Sequence, residues 1–261
     1  MKLYIESISS WSTSCAEQAN KLDKTQTKSS AWPKLEFVPA MQRRRLSPFA
    51  KIALYTAENV LSALSGSSGL SEASDQVDIV FSSRHGDLHK TAELLTELTA
   101  DNDISPTAFS TSVHNAVPGL YSILKQNKQA INAVSAGKDS FFYGIVDAYA
   151  RLKSGRTNKI LLVHVDRELP ALYSQFQDEQ QVDHAVAMVV TLTPTATTLA
   201  GIDLCFSAAE SAVSKPELLE LNLPAALSFI HWFEGTADSA LQYNSERHFW
   251  TCERVSGSAD A

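Results

Sequence analysis

The sequence has few cysteines, no long apolar run and no internal repeat. Three cysteines, Cys15, Cys205 and Cys252, occur among 261 residues, and their wide spacing fits neither a zinc site nor a disulfide framework. No stretch approaches the roughly 18 apolar residues of a membrane-spanning helix. The N-terminal MKLYIESISSW also lacks the continuous apolar core of a signal peptide. These absences predict a cytoplasmic protein with free thiols and no membrane span.

Positive charge is scarce as well. The formal net charge of -7 argues against nucleic acid as the main partner. Arg43, Arg44 and Arg45 form one compact basic cluster. An apolar fraction of 44% over this length is enough for a substantial core.

Apolar periodicity predicts alternating strands and helices. Strands are expected at 2–8, 77–83, 129–134, 159–165, 184–193, 199–206 and 248–255, and helices at 47–64, 87–98, 106–113, 115–126, 138–154 and 216–233. Gly66 is expected to end the long helix at 47–64. Residues 9–38 are expected to form a long polar segment on the surface. The alternation predicts an α/β fold with a predominantly parallel or mixed sheet and helices on both faces.

The helix expected near residues 140–152 is apolar on almost every side. Asp147 and Arg151 are its charged residues, and they lie on one stripe. A helix that covers one face of one sheet is normally amphipathic. We therefore expect the C-terminal segment or another chain to pack on it.

The turn before this helix, in NAVSAGKDSFF, has the form of a nucleophile site, because a helix N-terminus stabilises a thiolate or oxyanion. It contains no cysteine. The available side chains are Ser135, Lys138 and Ser140.

Three segments carry a family resemblance. RRRLSPFAKIAL, SPTAFSTSVHNAVPG and ARLKSGRTNKILLVHVDRE resemble the N-terminal half of the ketoacyl synthases of the thiolase fold. In that family the catalytic cysteine lies 19 residues after the glycine matched by Gly119 and 16 before the serine matched by Ser154. Both counts reach Lys138. The resemblance implies that lysine occupies the lost nucleophile position.

SVHN, SAGKDSF and VDRELP in so short a chain are similar to the ketosynthase-like chain-length factors, including the subunit of aryl polyene biosynthesis. The resemblance covers about residues 1–210. It implies a single truncated thiolase-like domain over 1–261, a non-catalytic role without cofactor in polyene or fatty-acid-like (type II polyketide) biosynthesis, and a heterodimer or heterotetramer with an active ketosynthase. The partner would condense substrates on an acyl carrier protein, which would bind transiently.

The same resemblance implies roles for individual residues. Ala108, Ser112, His114 and Asn115 fall where a ketosynthase borders its partner's acyl tunnel. Asn115 could instead cap a helix. The cluster Arg43 to Arg45 could receive an acidic carrier protein or simply flank a helix in solvent.

Other functions remain open from the residues. Ser135 or Ser140 could serve an independent acyltransferase or hydrolase if a histidine lay within reach, and Lys138 could form a Schiff base if burial lowered its pKa. A scaffold role is a third possibility. His85 and His89 have the i, i+4 spacing of metal ligands around Asp87, but three ligands are needed and no further partner is evident. No metal site is predicted.

Overall fold

The computed structural model describes residues 1–13, 32–68, 76–209, 222–236 and 239–255. The strands are β1 (Lys2–Ser12), β2 (Asp78–Ser82), β3 (Ile131–Val134), β4 (Ile160–Asp166), β5 (His184–Thr191), β6 (Ala200–Ala208), β7 (Leu241–Asn244) and β8 (His248–Val255). The helices are α1 (Ala40–Arg43), α2 (Pro48–Ser68), α3 (Leu88–Thr99), α4 (Pro106–Ser110), α5 (Ala116–Leu124), α6 (Ser140–Lys153) and α7 (Ala225–Glu234), with a 3₁₀ helix at Ala171–Phe176.

The strands form one mixed sheet in the order β3-β2-β4-β5-β1-β6-β8-β7. β2 pairs in parallel with β3 and β4, whereas the remaining neighbours are antiparallel. The expected mixed α/β sheet is confirmed. Parallel pairing is confined to one end because helices connect the strands there, and β1 enters between β5 and β6.

Alternate residues of the central strands feed two separate cores. On β4, Leu161 and Val163 join the core under α2, whereas Leu162 joins the core under α6. β5 alternates in the same way, with Val189 on the α2 side and Met188 on the α6 side. Both faces of the central sheet are therefore covered by helices, as the sequence predicts.

Helix α6 is enclosed by both ends of this sheet. Gly144 lies against Leu162 of β4, and the Phe142 ring stacks on Trp250 of β8 with centroids 4.9 Å apart. β4 and β8 are four strand positions apart, so α6 contacts strands from both halves of the sheet. The expectation that the C-terminal segment covers this helix is confirmed.

Several expected boundaries are wrong. β1 continues to Ser12, and Leu35 and Val38 are buried in the α2 core, so these parts of 9–38 are not a surface excursion; residues 14–31 lie outside the described ranges. α2 passes Gly66, because one helical glycine costs only about 1 kcal/mol.

The C-terminal boundaries also differ. The described part of the helix expected at 216–233 begins at Ala225, directly after Pro224, whose fixed φ suits a helix start; residues 216–221 lie outside the described ranges. Strand β7 was not expected, because four residues carry too little periodicity. None of the described helices is long and apolar enough to cross a bilayer. Cys205 and Cys252 are free thiols, and Cys15 is outside the described ranges.

Candidate functional site

The turn between β3 and α6 places Lys138 among carboxylates. Its Nζ lies 3.2 Å from Asp178 Oδ2 and 3.2 Å from Glu246 Oε1. Gly137 precedes it with a φ of 63°, a left-handed conformation that glycine adopts without strain. The lysine side chain is thus held in ion pairs with two neighbouring acids.

The two serines of this turn are engaged in holding its backbone. Ser140 Oγ donates to the Gly137 carbonyl at 2.7 Å and accepts from the Ala136 N–H at 2.9 Å. Ser135 Oγ donates to the Arg84 carbonyl at 3.1 Å. Within the described residues neither hydroxyl has a histidine partner, so the turn lacks the hydroxyl–base pair that a serine nucleophile requires.

Asp139, directly after the lysine, joins the turn to β8. Its Oδ1 accepts from Trp250 Nε1 at 2.6 Å, and its Oδ2 lies 3.1 Å from His248 Nδ1. The carboxylate is 1% exposed. Sequence reasoning missed Asp139, although a carboxylate at the start of an apolar helix is itself a signal for a buried anchor.

Polar side chains lie beneath the turn at the ends of three neighbouring strands. Ser82, His164 and Asp166 come from β2 and β4, and His184 begins β5. In the strand register, Ser82 lies opposite His164, and Asp166 lies opposite His184. Ser82 Oγ is 2.9 Å from His164 Nδ1, and His164 Nε2 is 3.3 Å from Asp166 Oδ2. All four residues are buried.

Asp166 fixes the loop that follows β2. Its carboxylate accepts from Ser83 Oγ at 2.8 Å, from the Arg84 N–H at 2.9 Å and from the His85 N–H at 3.1 Å. Burial alone would raise the pKa of Asp166, but its contact with His164 and these backbone hydrogen bonds hold it well below the ordinary value. The group is therefore a permanent anion.

The Arg84 side chain connects this loop to the lysine. Its guanidinium pairs with Asp178 Oδ2 at 2.7 Å and with Glu179 Oε1 at 3.0 Å. Asp178 also contacts Lys138, so basic and acidic side chains alternate across the turn. Burial raises the pKa of Glu179.

The space enclosed by these groups is small. Arg84, Lys138, Phe141, His164 and His184 border a cavity of about 10 Å³, which is enough for about one water molecule. An acyl chain does not fit in this cavity.

The segment between α4 and α5 lies beside the end of β3. His114 Nε2 is 3.2 Å from the carbonyl of Val134, the last residue of β3, and its ring meets Phe81 edge-on. Asn115 occupies the N-cap position of α5, but its side chain makes no capping hydrogen bond. The helix-cap interpretation of Asn115 is therefore wrong for its side chain.

Ala108 lies within α4 and Ser112 follows that helix, and both residues are half-buried. Ser112 Oγ donates to the Phe109 carbonyl at 2.9 Å. The side chains of Phe109 and Val113 are 60% and 42% exposed. Ala108, Ser112, His114 and Asn115 thus lie in one continuous segment, 108–115, which His114 connects to the end of β3, the outermost described strand at that end of the sheet.

The basic cluster divides into two parts. Arg43 Nη1 donates to the Leu35 carbonyl at 3.1 Å and so anchors the chain before α1. Arg44 and Arg45 are exposed. These two side chains are the ones still available for an acidic partner.

The histidine pair considered as metal ligands does not lie on one helical face. α3 begins at Leu88, so His85 precedes the helix that contains His89. Among the described residues, the group whose donor atoms converge is His164, Asp166 and His184. Alternation along β4 and its pairing with β5 create this group, which a search for helical spacing cannot find.

Comparisons with known proteins identify the family. The family model for the β-ketoacyl synthase N-terminal domain matches residues 11–253. The chain belongs to this family. No curated protein sequence matches this chain.

Solved structures show the same fold. The complex of the ketosynthase ApeO with its chain length factor ApeC from Xenorhabdus doucetiae contains a chain that is 24% identical, with a TM-score of 0.74 and coverage of 97% of this chain and 100% of that one. The ishigamide ketosynthase/chain length factor matches at 14% identity and TM-score 0.55, covering 80% and 68%. A β-ketoacyl synthase from Burkholderia phymatum STM815 matches at 13% and 0.60, covering 82% and 66%. The expected thiolase-like, half-length ketosynthase fold is confirmed.

Proposed function

We propose that this chain is a non-catalytic chain-length factor that forms a heterodimer with an active ketosynthase and borders its acyl tunnel. The observation that carries the proposal is Lys138, which sits in the nucleophile turn between two carboxylates, above a cavity too small for an acyl group. The partner ketosynthase then carries out the condensation reaction. Its substrates are carrier-protein thioesters, and the expected compartment is the cytoplasm.

The edge strand β3 supports a partner at this end of the sheet. β3 pairs with β2 on one side, and no described strand pairs with its other side. Unpaired strand edges readily pair with another chain. The exposed side chains of Phe109 and Val113 extend the same region with apolar surface. Two of the structurally similar proteins are complexes of a ketosynthase with a chain length factor.

The tunnel and carrier-protein parts of the proposal rest on position. Ala108, Ser112, His114 and Asn115 lie in the segment that His114 fastens to the end of β3, so a partner bound at β3 would meet them. Arg44 and Arg45 offer exposed positive charge for an acidic carrier protein. Arg43 serves the fold instead.

An independent acyltransferase or hydrolase has less support. The hydroxyls of Ser135 and Ser140 donate their hydrogen bonds to backbone carbonyls, and Ser140 is 1% exposed. A nucleophilic serine would need both a base and access to substrate.

Co-expression with the ketosynthase from the same gene neighbourhood tests the proposal. We expect both chains to elute together in equal amounts and the pair to condense carrier-protein substrates. Lys138→Ala and Ser135→Ala in this chain should leave the condensation rate largely unchanged, whereas replacing the partner's catalytic cysteine should abolish it.

Two outcomes would contradict this proposal. One is a monodisperse chain that does not co-purify with the ketosynthase. The other is a loss of several orders of magnitude in rate for Lys138→Ala while the pair stays folded and assembled. If the pair forms and this chain has no influence on product length, a scaffold role replaces the tunnel role.

A further inference from the structure

A row of metal-binding side chains lies on one face of the sheet, below the N-terminus of α6. His164 and Asp166 are two residues apart on β4 and therefore point to the same side. His184 stands directly opposite Asp166 on β5. A ring nitrogen of each histidine and a carboxylate oxygen of Asp166 lie within 4.8 Å of one another, all buried.

We propose that His164, Asp166 and His184 bind one structural Zn²⁺ ion. Two histidines and one carboxylate are a ligand set that zinc uses. Zinc bonds of 2.0–2.2 Å in tetrahedral geometry separate two donors by about 3.4 Å. The 3.3 Å between His164 Nε2 and Asp166 Oδ2 already meets this value.

His184 supplies the observation that points to a ligand. Its Nδ1 lies 2.8 Å from the Val182 carbonyl, and because a carbonyl only accepts, this nitrogen carries the proton. Nε2 then holds a lone pair, and it is buried without a hydrogen-bond partner in the part of the chain that the structure describes.

The groups behind the ligands fit a metal centre. Metal-bound histidines generally hydrogen-bond through their other ring nitrogen. Here Ser82 Oγ contacts Nδ1 of His164, and the Val182 carbonyl contacts Nδ1 of His184. Asp166 is also held, since Oδ1 accepts from Ser83 Oγ and from the His85 N–H. Oδ2 accepts from the Arg84 N–H at 2.9 Å and lies 3.3 Å from His164 Nε2, so this oxygen has one lone pair left for a metal.

Charge and space fit a small cation. Arg84 and Glu179 face the same cavity, together with Lys138. Arg84 is paired with Glu179 and Asp178, and Lys138 is paired with Asp178 and Glu246. Asp166 remains the anion whose neighbours are histidines. The cavity of about 10 Å³ admits no substrate, so the ion would be structural, holding β4, β5 and the loop after β2 together, with one water molecule as the fourth ligand of the tetrahedron.

Zinc binding is measured on the full-length protein. After dialysis against ZnCl₂ and removal of free metal, elemental analysis should find one zinc per chain, and thermal denaturation should show a midpoint a few degrees higher with zinc than with chelator. His184→Gln should lose both. The matched control, His85→Gln with His89→Gln, removes the pair suggested by sequence spacing and should keep both.

The result that overturns the proposal is a wild-type chain without bound zinc, or loss of zinc in the His85→Gln/His89→Gln control. Where His184→Gln does not fold, the Co²⁺-loaded wild type decides: visible d–d bands of a four-coordinate site support the proposal, and a six-coordinate spectrum refutes it. These readouts need no ketosynthase and are independent of the proposed function.

Discussion

Trp250 donates its indole N–H to the carboxylate of Asp139 over 2.6 Å, inside the protein. The bond connects the last described strand to the residue that opens helix α6. Phe142, one turn along the helix, stacks on the same indole. The C-terminal segment therefore packs on the first turn of helix α6 through both a hydrogen bond and a ring contact.

Trp250→Phe should lower the free energy of unfolding by about 2–4 kcal/mol, because a buried carboxylate loses a hydrogen bond and the core loses volume. Urea denaturation measures the change. Trp232→Phe is the matched control: the Trp232 indole N–H donates to the backbone carbonyl of Ser239 rather than to a carboxylate, and the residue is only half-buried. A loss at Trp232 as large as that at Trp250 would contradict the anchor.

Gly144→Ala should destabilise the protein by about 1–3 kcal/mol through overpacking. An added Cβ would lie 2.9 Å from both Leu162 Cδ1 and Ser82 Oγ. Gly119→Ala is the control, since its Cβ in α5 meets nothing within 4 Å and should stabilise the helix by up to about 1 kcal/mol. Thermal denaturation of both variants gives the comparison, and equal signs would refute the close packing of α6 on β2 and β4.

Periodicity was sufficient for most of this fold. The runs at 77–83, 159–165 and 184–193 were read as strands because continuous apolar sequence in short segments is typical of strands buried on both faces. The all-round apolar character of α6 also predicted that something covers it. The order of the strands in the sheet cannot be predicted from periodicity, because the insertion of β1 between β5 and β6 depends on long-range pairing.

The site was predictable only where a local motif marks it. Counting from Gly119 and Ser154 leads to position 138, whose correspondence to the family's nucleophile stays a prediction. Asp178, Glu246 and His184 were missed, since they approach the turn from distant segments and carry no spacing signal of their own. His85 and His89 show the opposite error: helical spacing was present, but the helix starts after His85.

Glu6 should make stability depend on pH in the acid range. Its buried carboxylate accepts hydrogen bonds from four threonine hydroxyls in and after β5, those of Thr191, Thr195, Thr197 and Thr198. Burial alone would raise the pKa of Glu6, but these bonds hold it below its ordinary value of 4.5. A lowered folded-state pKa stabilises the protein above the unfolded-state pKa, and this contribution disappears as the pH falls through the folded value.

Glu6→Gln should therefore be less stable than the wild type by about 1–3 kcal/mol at pH 7, and the difference should shrink as the pH falls below about 4. Urea denaturation at several pH values between 7 and 3 measures this difference in the free energy of unfolding. Glu36→Gln, at an exposed residue, should track the wild type throughout. A loss of stability in Glu6→Gln that does not change with pH would mean that packing, rather than the charge of Glu6, stabilises the turn after β5 that contains Thr195, Thr197 and Thr198.

Ser112→Phe should shorten the product of the assembled heterodimer by at least one extension cycle. Ser112 is half-buried in the segment that His114 fastens to the end of β3, so a phenyl ring there would project into the space shared with a partner bound at that edge. Product analysis by mass spectrometry measures the length. Ser154→Phe places the same ring on the exposed turn after α6 and should leave the product unchanged. Because both variants keep Lys138 and the turn intact, a shorter product from Ser112→Phe alone assigns chain length to this surface, and an unchanged product with normal assembly assigns the chain to scaffolding.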